Sequence, residues 1–189
     1  MTPHIECVVT GMLAENCYLL WDPERGDCAV IDPGDDPERI RAAMGGRRPA
    51  AILLTHGHFD HIGAVGALAE DGAEILIHAA DAPMLTDPRL NAGHMIGAVI
   101  TAPPATRTFA NGETLTPAGL TLRVLHTPGH TPGSCCFLCG DALFTGDTVM
   151  AGGVGRTDLP GGSEAQLRAS LRRLMPLLRT HTVYGGHGA

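Results

Sequence analysis

Four short apolar runs in this 189-residue sequence each end at a glycine-bearing stretch that carries histidine or aspartate. Residues 51–54 run into "THGHFDHIG", and residues 120–126 run into "TPGHTPGS". Residues 142–145 lead to "FTGD", and residues 182–184 lead to "YGGHG". Glycine permits positive φ and close backbone approach, both of which a crowded polar centre requires. Strands that share a direction at one sheet edge bring such loops to a single place. This pattern restricts the chain to a sheet-based fold with a polar centre at one edge.

The rest of the chain fits that frame. Strands are predicted over residues 5–10, 16–21 and 28–31, separated by Gly11, Asp22-Pro23 and Gly26-Asp27. A short helix starts near Pro37 and stops at Gly45-Gly46, and Ile62, Val65 and Leu68 fall at helical spacing. Further strands are predicted over 74–78, 134–138 and 142–145. Residues 79–104 have weak periodicity and read as helical turns and loop, the natural lid over a site. The final helix opens with Ser163 and Gln166 as a capping box and keeps Leu167, Leu171, Leu174 and Leu178 on one stripe, with Pro176 ending or kinking it. Hairpins mixed with strand–helix alternation predict an α/β fold of two mixed sheets with helices on the outer faces. The chain reads as one domain, residues 1–189.

Composition removes several function classes. The net charge of −7 argues against a nucleic-acid partner held by phosphate contacts. All thirteen basic residues are arginine, so no lysine is available for a Schiff base. No apolar run approaches a membrane span and no secretory signal is visible, so the expectation is a cytoplasmic protein without a membrane partner. Cys7, Cys17 and Cys28 lie singly in apolar segments and are expected to be buried thiols. "CCFLC" at 135–139 reads as a buried strand rather than a metal knuckle, because no second pair stands at zinc-ribbon spacing. No nucleophile elbow, H-E-x-x-H helix, dinucleotide fingerprint or phosphate loop is present.

The convergent loops supply His56, His58, His61, His130 and His187 with Asp60 and Asp147. Five imidazoles and two carboxylates exceed what one tetrahedral zinc with an open position uses. They divide between two divalent ions: His56, His58 and His130 for the first, Asp60, His61 and His187 for the second, with Asp147 bridging. Two dications with two carboxylates and a bridging hydroxide leave a net charge of about +1, suited to an anionic nucleophile. Packing offers an alternative for single residues: Asp60 could cap a helix beginning at His61. His4, His78, His94, His126 and His181 are read as packed or solvated.

"THGHFDHIG", "TPGHTPGS", "FTGDT" and "YGGHG", in this order, resemble the metallo-β-lactamase fold, and "GVGRTDLPGGS" resembles its short glyoxalase-II-like branch of hydroxyacylglutathione hydrolases. The resemblance covers about residues 16–188. It implies an αββα sandwich with the metals at one edge and the ligands already named. It also implies hydrolysis of a small-molecule thioester, S-D-lactoylglutathione or a related hydroxyacyl-thiol, by a metal-bridging hydroxide that Asp60 and Asp147 hold. Zinc is the expected metal, with iron or manganese as alternatives. Asp147 stands where zinc β-lactamases carry cysteine, which argues against antibiotic hydrolysis. The C-terminal helical domain of full-length glyoxalase II, which contacts glutathione, has no counterpart in this sequence. Arg156 in "GRTD" is a candidate for a substrate carboxylate, with pairing to Asp158 as the alternative.

Other readings of the same residues stay open. Persulfide dioxygenases of this superfamily use one iron, for which His56, His130 and Asp147 would form the facial triad. Lactone or ester hydrolysis, or a metal-binding domain without catalysis, are the remaining possibilities.

Overall fold

The structure, a computed structural model, describes residues 3–188. Two sheets face each other. The first holds β1 (His4–Thr10), β2 (Glu15–Trp21), β3 (Asp27–Ile31), β4 (Arg48–Leu53), β5 (Glu74–His78) and β6 (Arg107–Phe109) in chain order. Its first three strands are antiparallel, and β3 to β6 run parallel. The second sheet holds β7 (Thr114–Leu115), β8 (Leu122–His126), β9 (Cys135–Cys139), β10 (Ala142–Gly146) and β11 (Thr182–Gly185), with only the β10–β11 pair parallel.

Strand alternation sorts the apolar residues into layers. On β4, Ile52 faces outward with Val30, Ile75 and Leu19, where helices α1 (Pro37–Met44) and α2 (Val65–Ala69) supply Ile40, Met44, Val65 and Leu68. Leu53 faces the opposite way, into the space between sheets, with Leu20, Ile31, Phe137 and Phe144. On the far side Leu143 and Cys136 meet Leu174 of helix α3 (Glu164–Leu178). The order helix, sheet, sheet, helix is therefore an αββα sandwich, as the pattern of strands predicts. The middle layer alone buries both Phe137 and Phe144 completely. Each is worth roughly 1.5–3 kcal/mol relative to exposure.

Several details differ from the sequence reading, each for a local reason. β6 and β7, of three and two residues, are too short to leave a periodic signal. No helix begins at His61: Phe59–His61 form one 3₁₀ turn, and α2 starts only at Val65. Asp60 lies inside that turn and caps nothing, since His58 holds the N-cap position. Pro176 does not end α3, which continues to Leu178. The N-terminal cap of α3 is as expected: Ser163 Oγ accepts the Gln166 amide at 3.4 Å. Cys7 is exposed rather than buried, because β1 is the edge strand of its sheet. The other five thiols are buried, including all three of "CCFLC" on β9.

Candidate metal centre

The parallel strands β3 and β4 end at the same sheet edge, and the loops that follow them carry the chemistry. Immediately after β3, Asp32 adopts a left-handed backbone (φ 49°), a conformation aspartate tolerates better than most residues. Its carboxylate reaches across to the loop after β4. Oδ1 accepts the Thr55 amide at 2.7 Å, and Oδ2 accepts the Thr55 hydroxyl at 2.5 Å. The same Oδ2 lies 3.1 Å from Nδ1 of His61. The Thr55 hydroxyl, having given its proton to Asp32, accepts from Nδ1 of His56 at 3.0 Å. Nε2 of both rings is thereby left as a lone-pair donor.

The second sheet contributes in the same way. His130, in the loop after β8, donates its Nδ1 proton to the Arg156 carbonyl at 2.8 Å, again freeing Nε2. His187, after β11, turns Nδ1 to the Leu13 carbonyl at 3.1 Å. Asp81 ties the two histidine loops together. Its Oδ1 accepts the Gly133 amide at 2.6 Å, while Oδ2 accepts the Thr131 hydroxyl at 2.6 Å and the Gly57 amide at 3.2 Å.

All seven candidate donors meet at this edge. His56, His58 and His130 form one compact group, and Asp60, His61 and His187 form another, each with its donor atoms within 4.8 Å of one another. Asp147 lies between them, with Oδ1 3.5 Å from His61 Nε2 and Oδ2 3.5 Å from His130 Nε2. Four buried atoms of the candidate donors have no hydrogen-bond partner among the described residues: His56 Nε2, His58 Nε2, His61 Nε2 and Asp147 Oδ1. Orphaned buried groups of this kind are costly unless something satisfies them. Three lone pairs and carboxylate oxygens pointing at common centres are the donor set of a divalent cation.

The electrostatics agree. Burial pushes His56 well below the ordinary histidine range, and the neighbouring rings push it further. Burial and His130 together bring His58 down to about 3; its Nδ1 sits 2.8 Å from His130 Nε2, so the two cannot both carry protons there. These imidazoles are neutral, as ligands must be. Asp60 resists the upward push of burial because His61 and His187 hold it below the usual carboxylate range. His61 is raised despite burial, by Asp60, Asp147 and Asp32 around it. A cluster of carboxylates that draws a proton onto a buried ring attracts a dication for the same reason.

Backbone proximity makes glycine necessary here. A Cβ on Gly186 would overlap Asp147 Oδ1 and lie 2.9 Å from His61 Cε1. Above the donors opens a cavity of about 740 Å³, bounded on its outer side by Leu13, Met95, Ile96 and Leu159. Met95 and Ile96 belong to the 79–104 segment, which forms 3₁₀ turns over Ala82–Leu85 and Gly93–Ile96. Arg156 lines the same cavity, and its guanidinium holds Asp158 at 2.6 and 2.7 Å.

Residues 10–187, from β1 to the last candidate donor, match the metallo-β-lactamase superfamily. The chain belongs to that superfamily. Among its members, the hydroxyacylglutathione hydrolase GloC of Haemophilus influenzae is 36% identical over 194 residues, covering 98% of this chain and 91% of its own. The crystal structure of the B3 metallo-β-lactamase BLEG-1 superposes with a TM-score of 0.92 at 36% identity, covering 98% of this chain and 92% of that one. TTHA1623, solved in a di-iron-bound form, gives a TM-score of 0.86 at 40% identity, with coverage of 97% and 92%. The superfamily's sandwich is thus the architecture described above.

Asp32 and Asp81 escape a sequence reading that searches for ligands. Asp32 carries a usable signal, since "VIDPG" is another apolar strand ending in an acid beside glycine. Asp81 follows β5 by three residues with no glycine beside it, and nothing in its local sequence sets it apart. The bland reading of the other histidines is consistent with their places: His78 and His126 stack on each other at 4.1 Å, and His4 lies against Trp21.

Proposed function

We propose that this superfamily member is a dinuclear metal-dependent hydrolase of thioesters, with S-D-lactoylglutathione or a related hydroxyacyl-thiol as substrate, acting as a single domain. The observation that carries this reading is the position of Asp147, with one carboxylate oxygen toward each donor triad. His56, His58 and His130 would hold one ion, Asp60, His61 and His187 the other, and Asp147 both. When bound, two divalent cations supply Lewis acidity at a carbonyl oxygen and a nucleophilic water at neutral pH.

The chain's own residues do the rest. Asp60 stays ionised and can accept a hydrogen bond from an attacking water, orienting it. The Asp32–Thr55 pair and the Arg156 carbonyl hold the imidazoles in the tautomers that expose Nε2. Phe59 and Leu13 beside the donors, with Ile96 above, narrow solvent access to the reacting centre. A serine or cysteine nucleophile is unnecessary to this scheme. The similarity to GloC supports a hydroxyacyl-thiol substrate, and the aspartate at position 147 supports two hard cations. Zinc is the first expectation, and the di-iron relative makes iron the alternative.

The test is hydrolysis of S-D-lactoylglutathione by the purified chain, before and after chelation, with zinc or iron restored. Metal-dependent kcat/KM of at least about 10⁴ M⁻¹s⁻¹ supports the reading. Absence of turnover in protein carrying two metals per chain overturns it.

A further inference from the structure

The donor group of Asp60, His61 and His187 rests on a residue that the scheme above does not use. Glu15, the first residue of β2, is only 1% exposed. Its Oε2 accepts the hydroxyl of Thr10, the residue paired with it on β1, at 2.7 Å. Its Oε1 stands 3.8 Å from Nδ1 of His61, behind the Asp32 oxygen at 3.1 Å. That Oε1 has no hydrogen-bond partner among the described residues. A buried oxygen left unpaired costs stability, so Glu15 is not explained by what it adds to the fold.

Glu15 reaches the other two donors as well. Its backbone forms an antiparallel bridge with His187. The next residue strengthens that link: the Asn16 amide donates to the Gly186 carbonyl at 2.8 Å, and the Asn16 side chain donates to the Gly185 carbonyl at 2.9 Å. Gly34 fills the gap between Glu15 Oε2 and the Asp60 carbonyl so closely that a Cβ there would run into both. The first donor group has other supports, with Thr55 holding His56 and the Arg156 carbonyl holding His130.

Resting on the two-ion reading, we infer that Glu15 is a positioning residue for the second ion alone: it keeps Asp60, His61 and His187 at ligand spacing, while the first group stands without it. Asp32 differs, because it orients rings of both groups. What Glu15 contributes is the reach of its side chain and an oxygen fixed behind His61. Glutamine has the same reach and an oxygen to place there, whereas alanine has neither.

The experiment titrates zinc calorimetrically into the metal-free full chain. His58→Ala and His187→Ala, one from each donor group, assign the two binding events. Glu15→Ala is expected to raise the Kd of the second ion by about tenfold or more and to leave the first within about twofold, the scale of losses when a ligand's support is removed. Glu15→Gln should restore the second Kd to within about threefold of the wild type. Thr10→Val keeps the volume of the side chain but releases Glu15 Oε2, and should weaken the second ion by about threefold or more. This variant decides the matter if Glu15→Ala does not fold. Parallel weakening of both ions, an unchanged second Kd, or failure of Glu15→Gln to restore it overturns the inference. A wild-type chain that takes up one ion overturns the two-ion reading and this inference together. If two ions bind and no thioester is turned over, the hydrolase reading alone fails, and the Kd values still decide the role of Glu15.

Discussion

Asp32 Oδ2 contacts His61 Nδ1 at 3.1 Å and the Thr55 hydroxyl at 2.5 Å, so one buried carboxylate orients rings of both donor groups. It acts on His61 directly and on His56 through Thr55. Removing such a partner commonly lowers metal affinity 10–100-fold, because the ring loses both its tautomer and its direction. Asp32→Ala should therefore bind zinc about 10–100 times more weakly in chelator competition. Unchanged affinity would mean that backbone position alone sets the rings.

Gly186→Ala forces a methyl group into Asp147 Oδ1 and toward His61 Cε1. The expected result is loss of metal from the second donor group and a fall in turnover of at least about 10²-fold, the scale of losses from roughly 1 Å misplacement. Gly26→Ala serves as the control, since a Cβ there meets nothing within 4 Å. Its melting should shift by no more than about 0.5 kcal/mol in stability. Equal effects at the two positions would refute the close-approach argument.

Chelation should lower the melting temperature. Metal at 100 times its Kd stabilises the folded chain by about 2.7 kcal/mol. For a domain of this size that corresponds to about 5–10 °C. A scanning-calorimetry trace that EDTA leaves unmoved would indicate that the donors hold no ion in solution.

Thiol titration reads the burial of cysteine. Cys7 on the edge strand is exposed and, although partial burial and Glu15 raise its thiol too, its access to solvent should let it react with Ellman's reagent in the native state. Burial pushes the Cys28 and Cys136 thiols up to about 11, and Cys17, Cys135 and Cys139 upward as well. One thiol per chain should react at pH 8 and six after denaturation. Two or more fast thiols would contradict the packing of β2, β3 or β9, where the other five lie.

Much of this was readable from the sequence because the relevant groups sit at strand ends. The 51–54 run and the motif after it announce both a strand and a polar centre, and the same holds for residues 142–147. Strands of four or more residues left apolar runs, several of them buried on both faces, while β6 and β7 were too short to do so. The turn at Phe59–His61 hid behind a helix-like spacing of Ile62, Val65 and Leu68, because three apolar residues on one face satisfy either arrangement. Supporting residues such as Asp81 were illegible for a different reason. Their role arises from hydrogen bonds spanning 24 to 52 positions, which no local pattern encodes.

The placement of the donors also has a consequence for biosynthesis. His56, His58, Asp60 and His61 leave the ribosome together on the loop after β4, but each triad is completed from the second sheet, by His130 and then by His187. A chain cut short before β11 therefore keeps His56, His58 and His130 but lacks a donor of the second triad. Under the proposed two-ion reading, the second site can form only once β11, the last strand of the sandwich, has been made and has docked, so an occupied pair reports a full set of strands.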